Sequence, residues 1–70
     1  MQRQQVTSSN LAAVGYDATQ QMLEVEFLSG SVYQYRGVPA GVYQGLMAAG
    51  SHGTYFHAVV RDRYTYIRVR

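Results

Sequence analysis

The chain has 70 residues, 47% of them hydrophobic and 14% charged, with a formal net charge of +2. That is enough chain for one core and too little charge for a disordered, self-repelling polymer. The absence of cysteine excludes a disulfide framework, a thiolate metal site and a cysteine nucleophile. No apolar run approaches the ~20 residues of a membrane-spanning helix. The polar start, Met1–Gln5, does not read as a secretory signal, so the cytoplasm is the expected compartment.

In chain order, residues 1–9 are expected to form a loose segment. Leu11 to Tyr16 reads as a short strand, and Asp17-Ala18-Thr19-Gln20 as a turn that Asp17 opens. Met22 to Phe27 is the clearest strand: Leu23, Val25 and Phe27 alternate with Glu24 and Glu26. Its hairpin partner is Val32 to Arg36. A two-residue loop at Ser29-Gly30 would oppose Val25 to Gln34 and mix apolar with polar side chains. A three-residue loop, Leu28-Ser29-Gly30, pairs Val25 with Tyr33, Leu23 with Tyr35 and Glu24 with Gln34, and puts Gly30 where a left-handed residue is needed. That register turns Tyr33 and Tyr35 toward the core, and Tyr16 and Tyr43 are assigned to packing as well.

Pro39 suits a first helical position, and Val42, Tyr43, Leu46 and Met47 recur at helical spacing. Residues 39–49 therefore read as an amphipathic helix that Gly50 stops. Gly41 and Gly45 weaken it by roughly 1 kcal/mol each relative to Ala. A second short helix is expected over Thr54–Val60 and a closing strand over Tyr64–Val69. The fold class is α+β: a small antiparallel sheet, made of a three-strand meander plus a C-terminal strand, with two short helices packed on one face. The whole chain, 1–70, is one domain.

Several motifs together resemble the KTSC domain family, named for its occurrence at the C-terminus of some lysyl-tRNA synthetases. They are Ser8-Ser9-Asn10-Leu11, Gly15-Tyr16-Asp17, Leu23-Glu24-Val25-Glu26-Phe27, and Tyr33-Gln34-Tyr35, which matches the family's Tyr-x-Tyr signature. Val38-Pro39, Val42-Tyr43, Gly53, Tyr55-Phe56 and Arg61-Asp62-Arg63-Tyr64-Thr65-Tyr66 continue the pattern in order. The resemblance spans residues 6–67. The chain departs from the pattern at Ala40-Gly41, where acidic residues often begin the helix, at Thr65, where proline is frequent, and in its extension Ile67-Arg68-Val69-Arg70. The resemblance implies a small α+β module, found appended or alone, for which RNA binding is suggested by association with the synthetase.

All six basic residues are arginine, a side chain suited to forked phosphate contacts and to stacking on rings. If Ile67 and Val69 face the core, alternation sends Tyr64, Tyr66, Arg68 and Arg70 to the opposite flank, just after Arg61 and Arg63. Rings that stack bases beside cations that hold phosphates make a candidate nucleic-acid site. Its residues are Arg36, Arg61, Arg63, Tyr64, Tyr66, Arg68 and Arg70. The competing reading has the tyrosines packed under a helix and the arginines solubilising an edge strand.

No catalytic residue is assigned. His52 and His57 stand roughly 140° apart around a helix, and as an acid–base pair they would make a small ribonuclease, a weaker reading than binding. Glu24 and Glu26 lie ~7 Å apart on one strand face and read as solvent-facing charge neutralised by Arg36. No metal cluster and no small-molecule cofactor is expected. The sequence points to a non-enzymatic binding module with RNA or another nucleic acid as partner. A protein partner or homodimer, formed through an added strand, is the alternative.

Overall fold

The computed structural model describes residues 1–70, which form a five-stranded antiparallel sheet in simple meander order, β1-β2-β3-β4-β5. The strands are β1 (Arg3–Gln5), β2 (Leu11–Asp17), β3 (Met22–Phe27), β4 (Val32–Tyr35) and β5 (Tyr66–Arg68). Between β4 and β5 the chain forms helix α1 (Ala40–Ala48) and helix α2 (His52–Tyr55), which runs directly into a π-helical turn over Phe56–Val60. The Arg61 amide donates to the Phe56 carbonyl five residues back, at 3.0 Å.

The β3–β4 hairpin has the register that its side chains require: Leu23 opposes Tyr35, Glu24 opposes Gln34 and Val25 opposes Tyr33. Gly30 closes the loop at φ +97°, a conformation glycine adopts without steric cost. The turn after β2 is held by Asp17, whose carboxylate accepts from the amides of Thr19 and Gln20 at 3.0 and 3.3 Å.

The inner face of the sheet, under the helices, carries Val14, Leu23, Val25 and Tyr35. With Leu11, Val38, Leu46, Phe56 and Val60 they form one continuous core. An irregularity between Leu11 and Ala13 keeps Leu11 inside opposite Phe27 while turning Ala13 outward opposite Glu26.

Five expectations need correction. The first residues are not all loose: Arg3–Gln5 is an edge strand paired with β2 at Arg3–Gly15, Gln4–Val14 and Gln5–Ala13. Its three polar residues show no apolar alternation, yet Arg3 lies over the outer face and reaches Glu24 and Glu26 at 3.4 and 3.8 Å. Those carboxylates are therefore answered by Arg3, Gln34 and Arg70 rather than by Arg36. Pro39 caps α1 from outside, at ψ 153°, and the helix begins at Ala40. The second helical segment starts earlier than expected, at His52, because Ser51 Oγ accepts the Thr54 amide and caps it.

The fifth correction concerns the C-terminal strand. Tyr66 opposes Tyr35 and Arg68 opposes Tyr33, so these two side chains share the inner face. Ile67 and Val69 do not enter the core: they are 42% and 48% exposed.

Candidate nucleic-acid interface

The two helical segments do not cover the whole inner face. At the corner formed by β4, β5 and the end of β3 they leave a groove of about 460 Å³, within the size range of small-molecule sites. Phe27, Tyr33, Tyr35, Phe56 and Tyr66 supply its rings, and Asn10, Ser29, Ser31, His57, Arg61 and Asp62 its polar lining.

Strand alternation and the π turn place these rings. Tyr33 and Tyr35 are next-but-one on β4 and therefore project together, with centroids 6.5 Å apart. Tyr66 leans on both from β5, at 5.4 Å from each. Phe56 stands edge-on to Tyr35 and to Phe27, at 5.5 Å in both cases. Phe27 closes the circuit on Tyr33 at 5.6 Å. Edge-to-face and tilted contacts suit the ring quadrupole. Within this circuit Phe56 and Tyr35 are sealed, at 2% and 4% exposure, whereas Tyr66 is 53% exposed. Tyr66 is the most exposed ring of the circuit.

The charges are arranged around these rings. Arg61 Nη1 lies 3.1 Å from His57 Nδ1, so the guanidinium and the imidazole share the rim. Arg68 donates from Nη2 to Ser31 Oγ at 3.1 Å and from Nε to the Arg70 carbonyl at 3.0 Å. It thus borders the groove through Ser31. The Tyr35 phenol is pushed up to about 12 by burial first, then by the neighbouring Tyr66 and Tyr33. Arg61 opposes the shift and Asp62 adds slightly to it. Tyr35 is therefore a neutral phenol at physiological pH, and both charged residues at the rim act on it.

Of the residues proposed from the sequence as a nucleic-acid site, the structure puts Arg61 and Tyr66 in the lining of this groove and Arg68 at its border, through Ser31. Tyr64 packs against the core instead. Arg70 faces the other way. Val69 and Arg70 both donate to the Val32 carbonyl, at 2.8 and 3.3 Å, and Val32 donates back to the Arg70 carbonyl at 3.0 Å. Two residues opposite one make a β-bulge, which breaks the alternation and turns Arg70 to the outer face. There it reaches Glu26 at 3.1 Å and the Gly30 carbonyl at 3.1 Å. Arg36 and Arg63 are exposed and lie outside the groove lining.

Sequence reasoning missed Phe27, Phe56, Asn10, Asp62, Ser29 and Ser31, weighed His57 only as half of an acid–base pair, and kept Tyr33 as core.

His52 and His57 have different partners: His52 Nδ1 meets the Leu46 carbonyl at 2.8 Å, and only His57 lines the groove. Nowhere do three histidine, aspartate or glutamate side chains converge as they would around a metal ion. No helix is long and apolar enough to cross a membrane.

Comparison with known proteins follows the same outline. The family model described as the KTSC domain matches residues 7–64. An uncharacterised protein of Stutzerimonas stutzeri is 46% identical over 70 residues, covering 99% of both chains. A lysine–tRNA ligase of Trichormus variabilis is 45% identical over 51 residues, which is 73% of this chain but 9% of the ligase. Among solved structures, a KTSC domain protein from Yersinia pestis superposes with a TM-score of 0.96 at 38% identity, covering 99% of this chain and 97% of that one.

Proposed function

The chain belongs to the KTSC domain family, and from that membership and the ring-lined groove we propose that it is a non-enzymatic binding module for single-stranded nucleic acid, RNA foremost. One observation carries the reading: Tyr66 is more than half exposed at the mouth of a five-ring groove, with Arg61 in its lining and Arg68 at its border. An exposed ring offers a base a stacking surface worth about 1–3 kcal/mol, and neighbouring guanidiniums hold the phosphates on either side. The ligase relatives, whose name attaches them to tRNA, carry this domain as about a tenth of their length and agree with an RNA partner. The contact set is Arg61, Tyr66 and Arg68. Arg36 and Arg63 contribute only general positive potential.

Binding without cleavage is favoured because the groove presents one imidazole, not two. His52 is held on the Leu46 carbonyl outside the lining, so no acid–base pair faces the rings. Titration of tyrosine fluorescence with single-stranded RNA tests the proposal. Micromolar affinity at low salt is expected, weakening as salt rises with a logarithmic slope of about −1 to −2, as two or three phosphate contacts require. Binding no stronger than millimolar, or affinity indifferent to salt, refutes it.

A second reading, a protein-binding or homodimeric module, is favoured by the outward-facing Ile67 and Val69 at the β5 edge. Such an edge accepts an added strand. Sedimentation as a strict monomer at micromolar concentration would count against the homodimer.

A further inference from the structure

Asp62 is the one acidic residue in the groove lining. It forms no ion pair, although Arg61 and Arg63 flank it in sequence. The other groove carboxylate neighbours are absent: Glu24 and Glu26 lie on the opposite sheet face, engaged by Arg3, Gln34 and Arg70. A carboxylate beside the rings is ill suited to a phosphate, which it repels, and well suited to a base edge rich in N–H donors.

We propose that the groove takes one unstacked base and selects guanine, with Asp62 as the reading residue; this rests on the nucleic-acid reading above and specifies its ligand. A volume of about 460 Å³ suits a single base with its sugar rather than a stacked run. The Asp62 carboxylate presents two acceptor oxygens side by side. Guanine alone offers two adjacent donors, N1–H and the N2 amino group, on its Watson–Crick edge. Adenine and cytosine each set an acceptor beside their amino group, and uracil sets its single N–H between two carbonyls. Each of those edges would point a lone pair at the carboxylate. Charge-assisted bonds are the stronger kind, and a single-stranded base leaves this edge free to be read.

The division of labour follows from position. Tyr66 offers its exposed face to the base plane, Asp62 takes the donor edge, and Arg61 and Arg68 hold the flanking phosphates. Asp62 is exposed and unbonded, so its replacement leaves the core untouched.

The test uses four single-stranded RNA tetramers, UUGU, UUAU, UUCU and UUUU, titrated against the full chain and its Asp62→Asn variant. For the unmodified protein, UUGU is expected to bind roughly tenfold more tightly than the others, the worth of one good charge-assisted pair. In Asp62→Asn that preference should collapse to within about threefold, while binding of UUUU holds or improves as a negative charge leaves the site. Equal affinity for all four tetramers, or a guanine preference that survives Asp62→Asn, overturns the guanine inference and leaves the nucleic-acid reading standing. Failure of every tetramer to bind overturns both.

Discussion

Tyr16 and Tyr43 meet at one end of the inner sheet face, and Tyr33 and Tyr66 at the other. The first pair is stacked nearly parallel at 4.9 Å with an 8° angle between planes, and the Tyr16 hydroxyl donates to the Val38 carbonyl. The second pair is tilted by 49° at 5.4 Å, and its outer ring is open to solvent. The difference lies in what covers each pair. Helix α1 supplies Tyr43 from above and covers the first, leaving both rings half-buried, whereas the π-helical turn stops at Val60 and leaves Tyr66 of the second open to solvent. Identical side chains therefore act as packing in one place and as a surface in the other, decided by the reach of the helices.

The strongest way to break this contrast is to remove the ring that belongs to both regions. Phe56 sits in the core and also forms the groove wall, touching Phe27 and Tyr35. Phe56→Ala should cost about 3–5 kcal/mol, a large share of what a domain of this size has, read as a fall in the urea midpoint. A loss below about 1 kcal/mol would mean that the turn is not anchored as described. The contrast sharpens next through a pair of variants read in two assays. Tyr66→Ala should weaken RNA binding by roughly five- to a hundredfold with little change in the urea midpoint. Tyr43→Ala should lower stability by about 1–3 kcal/mol and leave the affinity of the folded fraction near that of the parent. If both variants moved both readouts equally, the two ends would not be functionally distinct.

The hairpin and the covered end were legible in the sequence; the open end was legible only in part, through the shared flank of Tyr66 and Arg68. Gly30, the Glu24–Gln34 pairing and the apolar row of β3 agree on one register because a slip by one residue would invert every face. Tyr43 could be assigned to packing because it recurs with Leu46 and Met47 at helical spacing. Nothing comparable marks β1, whose Arg-Gln-Gln has no alternation and is held by backbone pairing and by Arg3 over two carboxylates. Strict alternation placed Tyr66 and Arg68 on a shared flank, but gave that flank to solvent and Ile67 to the core. The sheet instead leaves Ile67 on the outer face at 42% exposure, while Tyr66 leans on the rings of Tyr33 and Tyr35 and still keeps 53% of its surface open to water. The bulge at Val69–Arg70 has no residue signature, so Arg70 was counted with Arg68 when it answers Glu26 on the far side. The groove itself is an absence of cover, a property of helix length and path rather than of any single residue.

Tyr35 lies at the boundary between the covered and open regions and gives a pH test. Its phenol holds its proton to about 12 in the folded state, against about 10 for an unperturbed tyrosine. Between those values the folded state binds more protons than the unfolded one, so stability falls as pH rises; below pH 10 the contribution is fully present. The unfolding free energy should drop by about 1–3 kcal/mol across that interval through this group, and Tyr35→Phe should flatten the drop. An unchanged alkaline slope in Tyr35→Phe would place the phenol outside the desolvated region.

The smallest expected effect is a gain, and it separates the two glycines of the helix over the covered end. A Cβ added at Gly41 meets nothing within 4 Å, whereas one added at Gly45 runs into the hydroxyl end of the Tyr55 ring, where α2 crosses close by. Helix propensity alone favours alanine at both sites by about 0.5–1 kcal/mol. Gly41→Ala should realise that gain and raise the thermal midpoint by a few degrees. Gly45→Ala should lose it and more, because Tyr55 is half-buried against the core and must be displaced. Were Gly45→Ala as stabilising as Gly41→Ala, the close approach of α1 to α2 would be slack, and the cover over Tyr16 would be less fixed than its stacking geometry implies. RNA affinity should stay unchanged in Gly41→Ala, since a firmer lid over the closed end adds nothing to the groove beyond the π turn.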